Sequence, residues 1–178
     1  MQKASFQLMA QYNQWMNQRL YSCAAPLSAD QLAEDRGAFF RSILGTLNHI
    51  MVGDLLWLKR FASHPSGFKS LQPLLTRSNP ESLGSILYDT IDELRPEREK
   101  LDTQILSFSK ELSDKDLESE LEYKNTKGEL FTNNFSFLIQ HFFNHQTHHR
   151  GQLSTLFNQL NIDIGETDLL VMIREANS

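Results

Sequence analysis

Apolar residues recur at intervals of three and four along most of this chain, the repeat of one face of a helix. Polar and proline-rich stretches interrupt that repeat, and four principal helices are predicted between them. The first runs over about residues 5–23, with Met9, Tyr12, Met16 and Leu20 on one face, and Pro26 stops it. Ser28 followed by Gln31 reads as a capping box opening a short helical turn. The second spans about 40–61 and is apolar nearly all round, through Ile43, Leu47, Ile50, Met51, Leu55 and Leu58, so it belongs at the centre. Residues 62–80 carry Pro65, Gly67, Pro73 and Pro80 and read as a long connection. The third helix covers about 81–112, with Pro96 as a kink or break. After a polar stretch, segments 121–123 and 130–132 flank Lys127-Gly128 as a short hairpin. The fourth helix takes about 133–160, and a last short one 167–175.

Loop length bears on topology. Helices joined by short loops are antiparallel neighbours, whereas a long connection can cross a bundle and leave two successive helices parallel. The 62–80 segment therefore points to an all-α fold: a four-helix bundle of up-down-down-up order, its second and fourth helices antiparallel. With 178 residues the chain is most simply one domain, 1–178.

Composition narrows the function classes. No apolar run approaches the roughly 18 residues of a membrane span, and the first fifteen residues contain no apolar signal region. The lone Cys23 excludes an intramolecular disulfide framework and suits a reducing compartment, so a cytoplasmic location is expected. Net charge is −5, with Lys and Arg scattered, and no basic stripe offers itself to phosphates. Neither nucleic acid nor membrane is an expected partner.

Four of the six histidines lie within nine residues: His141, His145, His148 and His149. Composition alone would put roughly 0.3 there. On the fourth helix Phe135, Leu138, Phe142, His145, His149, Leu153, Leu156 and Leu160 form one continuous seam. His145 and His149 thus stand one turn apart where packing alone would ask for Leu or Phe. His141 and His148 fall on its flank. Buried imidazoles need partners, and unpaired polar groups cost about 1–3 kcal/mol each. A metal ion would satisfy both rings; two separately hydrogen-bonded core histidines are the plainer alternative. The third ligand candidate is His49, in line with Gly45 and Gly53 on the second helix. Each interior glycine costs about 1 kcal/mol relative to alanine, so room for an approaching helix or a ligand is the expected return. In antiparallel helices the levels of His49 and the His145–His149 pair differ by roughly 3–9 Å, within reach of convergence. His64, beside Pro65, reads as solvated surface.

Several segments resemble the DinB family: YNQWMNQRLY at 12–21, SILGTLNHIMVGDLLWLKRF at 42–61, KNTKGE at 124–129, NHQTHHRGQL at 144–153 and the tail segment DLLVMI. The NHxxHHRGQ string, with the upstream NHI…D…WL, is the specific part. The resemblance implies a four-helix bundle of up-down-down-up order and a three-histidine metal site, carried here by His49, His145 and His149. It also suggests thiol-dependent transferase or isomerase chemistry.

Three imidazoles suit Zn²⁺ first, and Ni²⁺ or Fe²⁺, over the oxygen-preferring Mg²⁺ and Ca²⁺. Three protein ligands leave a position open, as in catalytic zinc sites. Asp54, Arg150, Gln152 and Tyr12, with Asn13 and Arg19, are candidates to orient the histidines or face a substrate. A peptidase reading is weaker, because the position of the HExxH glutamate holds Gln146; a hydrolase would need Asp54 or Glu166 as base. The leading expectation is a metal-dependent transferase using a low-molecular-weight thiol. Two alternatives stand beside it: a non-catalytic binding or stress-response protein braced by metal, and a homodimeric module with histidines at its interface. A homodimer is compatible with all three.

Overall fold

The computed structural model describes residues 1–176. In chain order the elements are α1 (Gln2–Ala24), α2 (Ala29–Ala33), α3 (Ile43–Ala62), a short 3-10 helix (Gln72–Thr76), α4 (Ile91–Glu111), α5 (Asp114–Glu118), β1 (Glu120–Lys124), β2 (Leu130–Asn134), α6 (Phe135–Asn158) and α7 (Leu169–Glu175). Among the described residues the fold is helical apart from one antiparallel hairpin, which pairs Glu120 with Asn134 and Lys124 with Leu130, and an isolated bridge between Ala38 and Arg41.

Side-chain caps set most of the helix starts. Ser28 and Ser113 each form a complete capping box, with Gln31 and Asp116. Ser42, Thr90 and Asn134 each accept a first-turn amide of α3, α4 and α6. The second helix therefore begins at Ile43, and Phe40 lies outside it.

The third helix begins at Ile91 rather than near residue 81. The buried Asn48 side chain on α3 takes the amides of Leu87 and Tyr88 at 2.8 and 3.1 Å and donates to the Tyr88 carbonyl. Backbone groups held this way cannot enter a helical ladder, so residues 81–90 form an irregular strap over α3. Pro96 does not break α4, which continues to Glu111.

Contacts between α3 and α6 step in opposite directions along the two helices. His49 meets His149, Gly53 meets His145, Trp57 meets His141, and Phe61 meets Phe135. The remaining long helices pack around this pair, α1 against α4 and α6, and α4 also against α3.

His64 is not surface. It is buried, stacked on Phe135 at 4.4 Å and on Phe68 at 5.3 Å. Its Nδ1 accepts the Ser66 amide, so Nε2 carries the proton and donates to Ser119 Oγ. A turn after α3 brings this loop histidine back onto the aromatic core, and proline beside it gave no sign of that.

The buried faces of α1 and α6 are rotated from the apolar seams. On α1 the core side carries Asn13 and Asn17 among Phe6, Ala10 and Leu20, while Met9 and Tyr12 stand at its edge. On α6 Gln146 and Arg150 are more deeply buried than His145. These residues belong to one polar network joining all four long helices. Arg98 on α4 lies between Asp54 on α3, at 2.5 Å, and Asp102, at 2.9 Å. Asn13 and Asn17 donate to Asp102, Gln146 donates to Asp54, and Arg150 donates to Asn13. Two carboxylates offset two guanidinium groups, which is the condition for burying all four. A pattern that counts only apolar positions cannot place such a face.

Candidate metal centre

α3 supplies one imidazole and α6 two. Nε2 of His49 is 3.1 Å from Nε2 of His145 and 3.1 Å from Nε2 of His149. One ligand atom from each ring lies within 4.8 Å of the others, and among the described residues no fourth His, Cys, Asp or Glu joins the group.

Glycine makes the approach possible. A Cβ on residue 53 would stand 2.7 Å from Cε1 of His145, and one on residue 45 would stand 2.2 Å from the Phe40 carbonyl oxygen. Gly53 thus seats the His145 ring against α3. Gly45 seats the turn before α3, from which Phe40 lays its ring on His49 at 3.5 Å between centroids and 14° between planes.

Hydrogen bonds at Nδ1 indicate which nitrogen is free in two of the rings. His49 Nδ1 lies 2.8 Å from the Leu83 carbonyl oxygen of the strap, a pure acceptor, so Nδ1 bears the proton and donates. His149 Nδ1 donates likewise to Gln152 Oε1 at 2.8 Å. The Gln152 amide also meets His148, its Nε2 lying 3.2 Å from His148 Nε2. In a neutral ring so fixed, Nε2 is a bare lone pair. Two bare lone pairs 3.1 Å apart cannot bond one another. Either a proton carried on His145 Nε2, 3.1 Å from His49 Nε2, or a bound cation satisfies them, and three imidazole nitrogens meeting at one point could hold a metal ion.

Burial keeps the rings neutral. It pushes His49 down to about 4, with the Leu83 carbonyl opposing and His149 adding to the shift. His145 goes down to about 3, again chiefly by burial and then by the neighbouring histidines. His149 is lowered by burial against the pull of Gln152.

The other candidates separate. Gln152 alone bonds a ring of the cluster. Asp54 is bound to Arg98 and Gln146, and Arg150 to Asn13 and Thr147. Tyr12 donates to the Thr167 carbonyl oxygen. Arg19 lies over Trp15, bonding Glu175 and the carbonyl of Glu166, which is itself exposed. His141 packs edge-on to Trp57. Sequence reasoning missed Phe40, the Leu83 carbonyl and Asn48, which pins the strap carrying that carbonyl. Asn48 did leave a signal, as a polar residue beside His49 in the apolar first half of α3.

Fold and site together define a helical protein with a three-histidine centre shared by two helices. The family model described as DinB family matches residues 1–176, and the chain belongs to the DinB family. It is 25% identical over 158 residues to Protein DinB of Bacillus subtilis (strain 168), covering 89% of this chain and 87% of that protein. No solved structure gives a significant match.

Proposed function

We propose that His49, His145 and His149 hold a divalent transition metal, zinc first and nickel or iron next, and that the protein is a metal-dependent enzyme. The observation carrying this reading is the convergence of three neutral Nε2 atoms, two of them stripped of protons by bonds at the opposite nitrogen. Nitrogen donors suit these metals over Mg²⁺ or Ca²⁺. A metal so held would act as a Lewis acid at a position the protein leaves free, acidifying a thiol that binds there.

In this reading the Leu83 carbonyl and Gln152 hold two ligand rings in place, while the Phe40 ring keeps water from the face of His49. The reaction class is group transfer or isomerisation with a low-molecular-weight thiol, as the resemblance of the histidine motifs implies. A purely bracing metal is less favoured, because such sites are normally closed by a fourth protein ligand. A hydrolase is less favoured too: Gln146 is an amide, and it donates to Asp54.

The same reading takes the four long helices as an up-down-down-up bundle, working in the cytoplasm as a homodimer. Among the described residues no helix is long and apolar enough to cross a membrane. Elemental analysis of untagged protein tests the metal. About one transition-metal ion per chain is expected, with loss in His49→Ala and His145→Ala. Wild-type content far below that, and unchanged in both variants, would defeat the proposal.

A further inference from the structure

A cleft of about 760 Å³ runs along α3 beyond the histidines, between the strap and the turn of the hairpin. Its size suits a small organic molecule. Its charge runs against that of the chain: Lys59, Arg60 and Lys124 line it with a single carboxylate, Glu81, in a protein of net charge −5.

Arg60 is the unusual member. Its guanidinium lies 4.5 Å from the Trp57 ring centroid and 5.4 Å from that of Tyr123, and its Nε donates to the Lys124 carbonyl. The group is half-buried, and desolvation pulls its pKa down. Yet among the described residues it forms no ion pair, and neither terminal nitrogen has a hydrogen-bond partner. Two aromatic rings and one carbonyl hold the fork still, with its outer edge unused. Lys59 beside it gives two N–H groups to neutral acceptors, the Arg77 carbonyl and Asn79 Oδ1, both at 2.5 Å. Its third proton and its whole charge are unanswered.

We infer that Arg60, helped by Lys59, grips the carboxylate or phosphate end of the small molecule this protein acts on. The inference rests on the metal reading above for what happens at the other end of that molecule. Leu56 lies seven residues beyond His49, on the same face of α3 and about 10 Å along the axis. The Arg60 side chain reaches back over Trp57, toward the histidines. Leu83 joins the two places, since the cleft is lined by the residue whose carbonyl orients His49. An elongated molecule anchored by its oxyanion at Arg60 would lie along α3 with its far end toward the three imidazoles. A hydrophobic or cationic substrate would find nothing to meet that fork.

The test uses Trp57 as reporter. In a Trp15→Phe background it is the remaining tryptophan, and the full chain is titrated with succinate and, separately, inorganic phosphate at a constant ionic strength of about 0.1 M. Saturable quenching is expected with at least one of them, and the tighter of the two names the headgroup. Calorimetry of Arg60→Met should show affinity lower by about tenfold or more, the scale of a charge-assisted bond. Lys59→Met should weaken binding by a smaller factor, and Lys3→Met not at all. A response that never saturates, or equal affinity in wild type and Arg60→Met, overturns the inference. Metal content is measured on the same samples. Full metal occupancy without saturable anion binding sinks this inference alone, whereas saturable anion binding by wild type that as purified holds far less than one metal per chain, as do the histidine variants, leaves this inference standing and sinks only the metal reading.

Discussion

Gly53 on α3 lies directly beneath the ring of His145 on α6, so close that a β-carbon would come within 2.7 Å of its Cε1 atom. Gly53→Ala therefore sets two effects against each other. Alanine is worth about 1 kcal/mol in a helix interior, but the ring must move to admit it. Because the obstructing atom is the far end of a side chain, the fold survives and the centre does not. Thermal stability of the metal-free variant should equal or exceed wild type, while metal affinity falls by about tenfold or more. Calorimetry with Zn²⁺ beside a thermal melt would show both; wild-type affinity would refute the account.

Gln152 orients His149 without touching the place where the rings meet. Replacing it with leucine should lower metal affinity by about 10–100-fold and leave the urea midpoint of metal-free protein nearly unchanged. Gln152→Glu, which keeps an acceptor for the Nδ1 proton, should retain most of the affinity. If both variants bind alike, the hydrogen bond to His149 has no orienting role.

Arg98 holds two buried carboxylates, and Asp54 and Asp102 are themselves shielded from solvent. Removing one partner from such a network strands the others' charge, so Arg98→Ala should cost about 3–5 kcal/mol in urea unfolding. Metal-binding stoichiometry at temperatures well below the melt should survive. A loss under 1 kcal/mol would mean that the network is not holding the helices together.

Acid should weaken the metal-free protein in a definite window. His49 and His145 have folded pKa values of about 4 and about 3, below the ordinary 6.5 of the unfolded chain. The unfolded state therefore takes up protons first as pH falls. Their contribution is complete above about pH 6.5 and is lost progressively down through pH 4 and then 3. Asp102, pushed up to about 6 by burial, works with the opposite sign between roughly pH 6 and 4. The difference between wild type and His145→Ala cancels that part. Urea midpoints across this range should converge as pH drops; parallel curves would count against burial of that imidazole as a neutral group.

The sequence legibly announced the histidines. A stacked pair at i and i+4 and a third flanked by glycines are local patterns, readable from helix periodicity, and His49, His145 and His149 do converge. Gly45 and Gly53 were legible as room for something; that one admits a carbonyl and the other a ring was not. Helix lengths and caps were visible at Ser28, because capping depends on residues three apart. The start of α4 was hidden, because Asn48, some forty positions earlier, removes the amides of Leu87 and Tyr88 from any helix.

What the chain determined by itself was therefore what depends on near neighbours: helical periodicity, the capping box, the hairpin and the identity of the ligand candidates. Tertiary structure decided which face of each helix is inside. Apolar spacing put Met9 and Tyr12 of α1 toward the core and left out Asn13, Asn17, Gln146 and Arg150. These side chains are buried because charges on other helices satisfy them, and a partner across the bundle leaves no periodic trace in the segment that meets it. The same reason hid Leu83: its part in the site is played by a backbone carbonyl, which every residue has, and only folding selects this one.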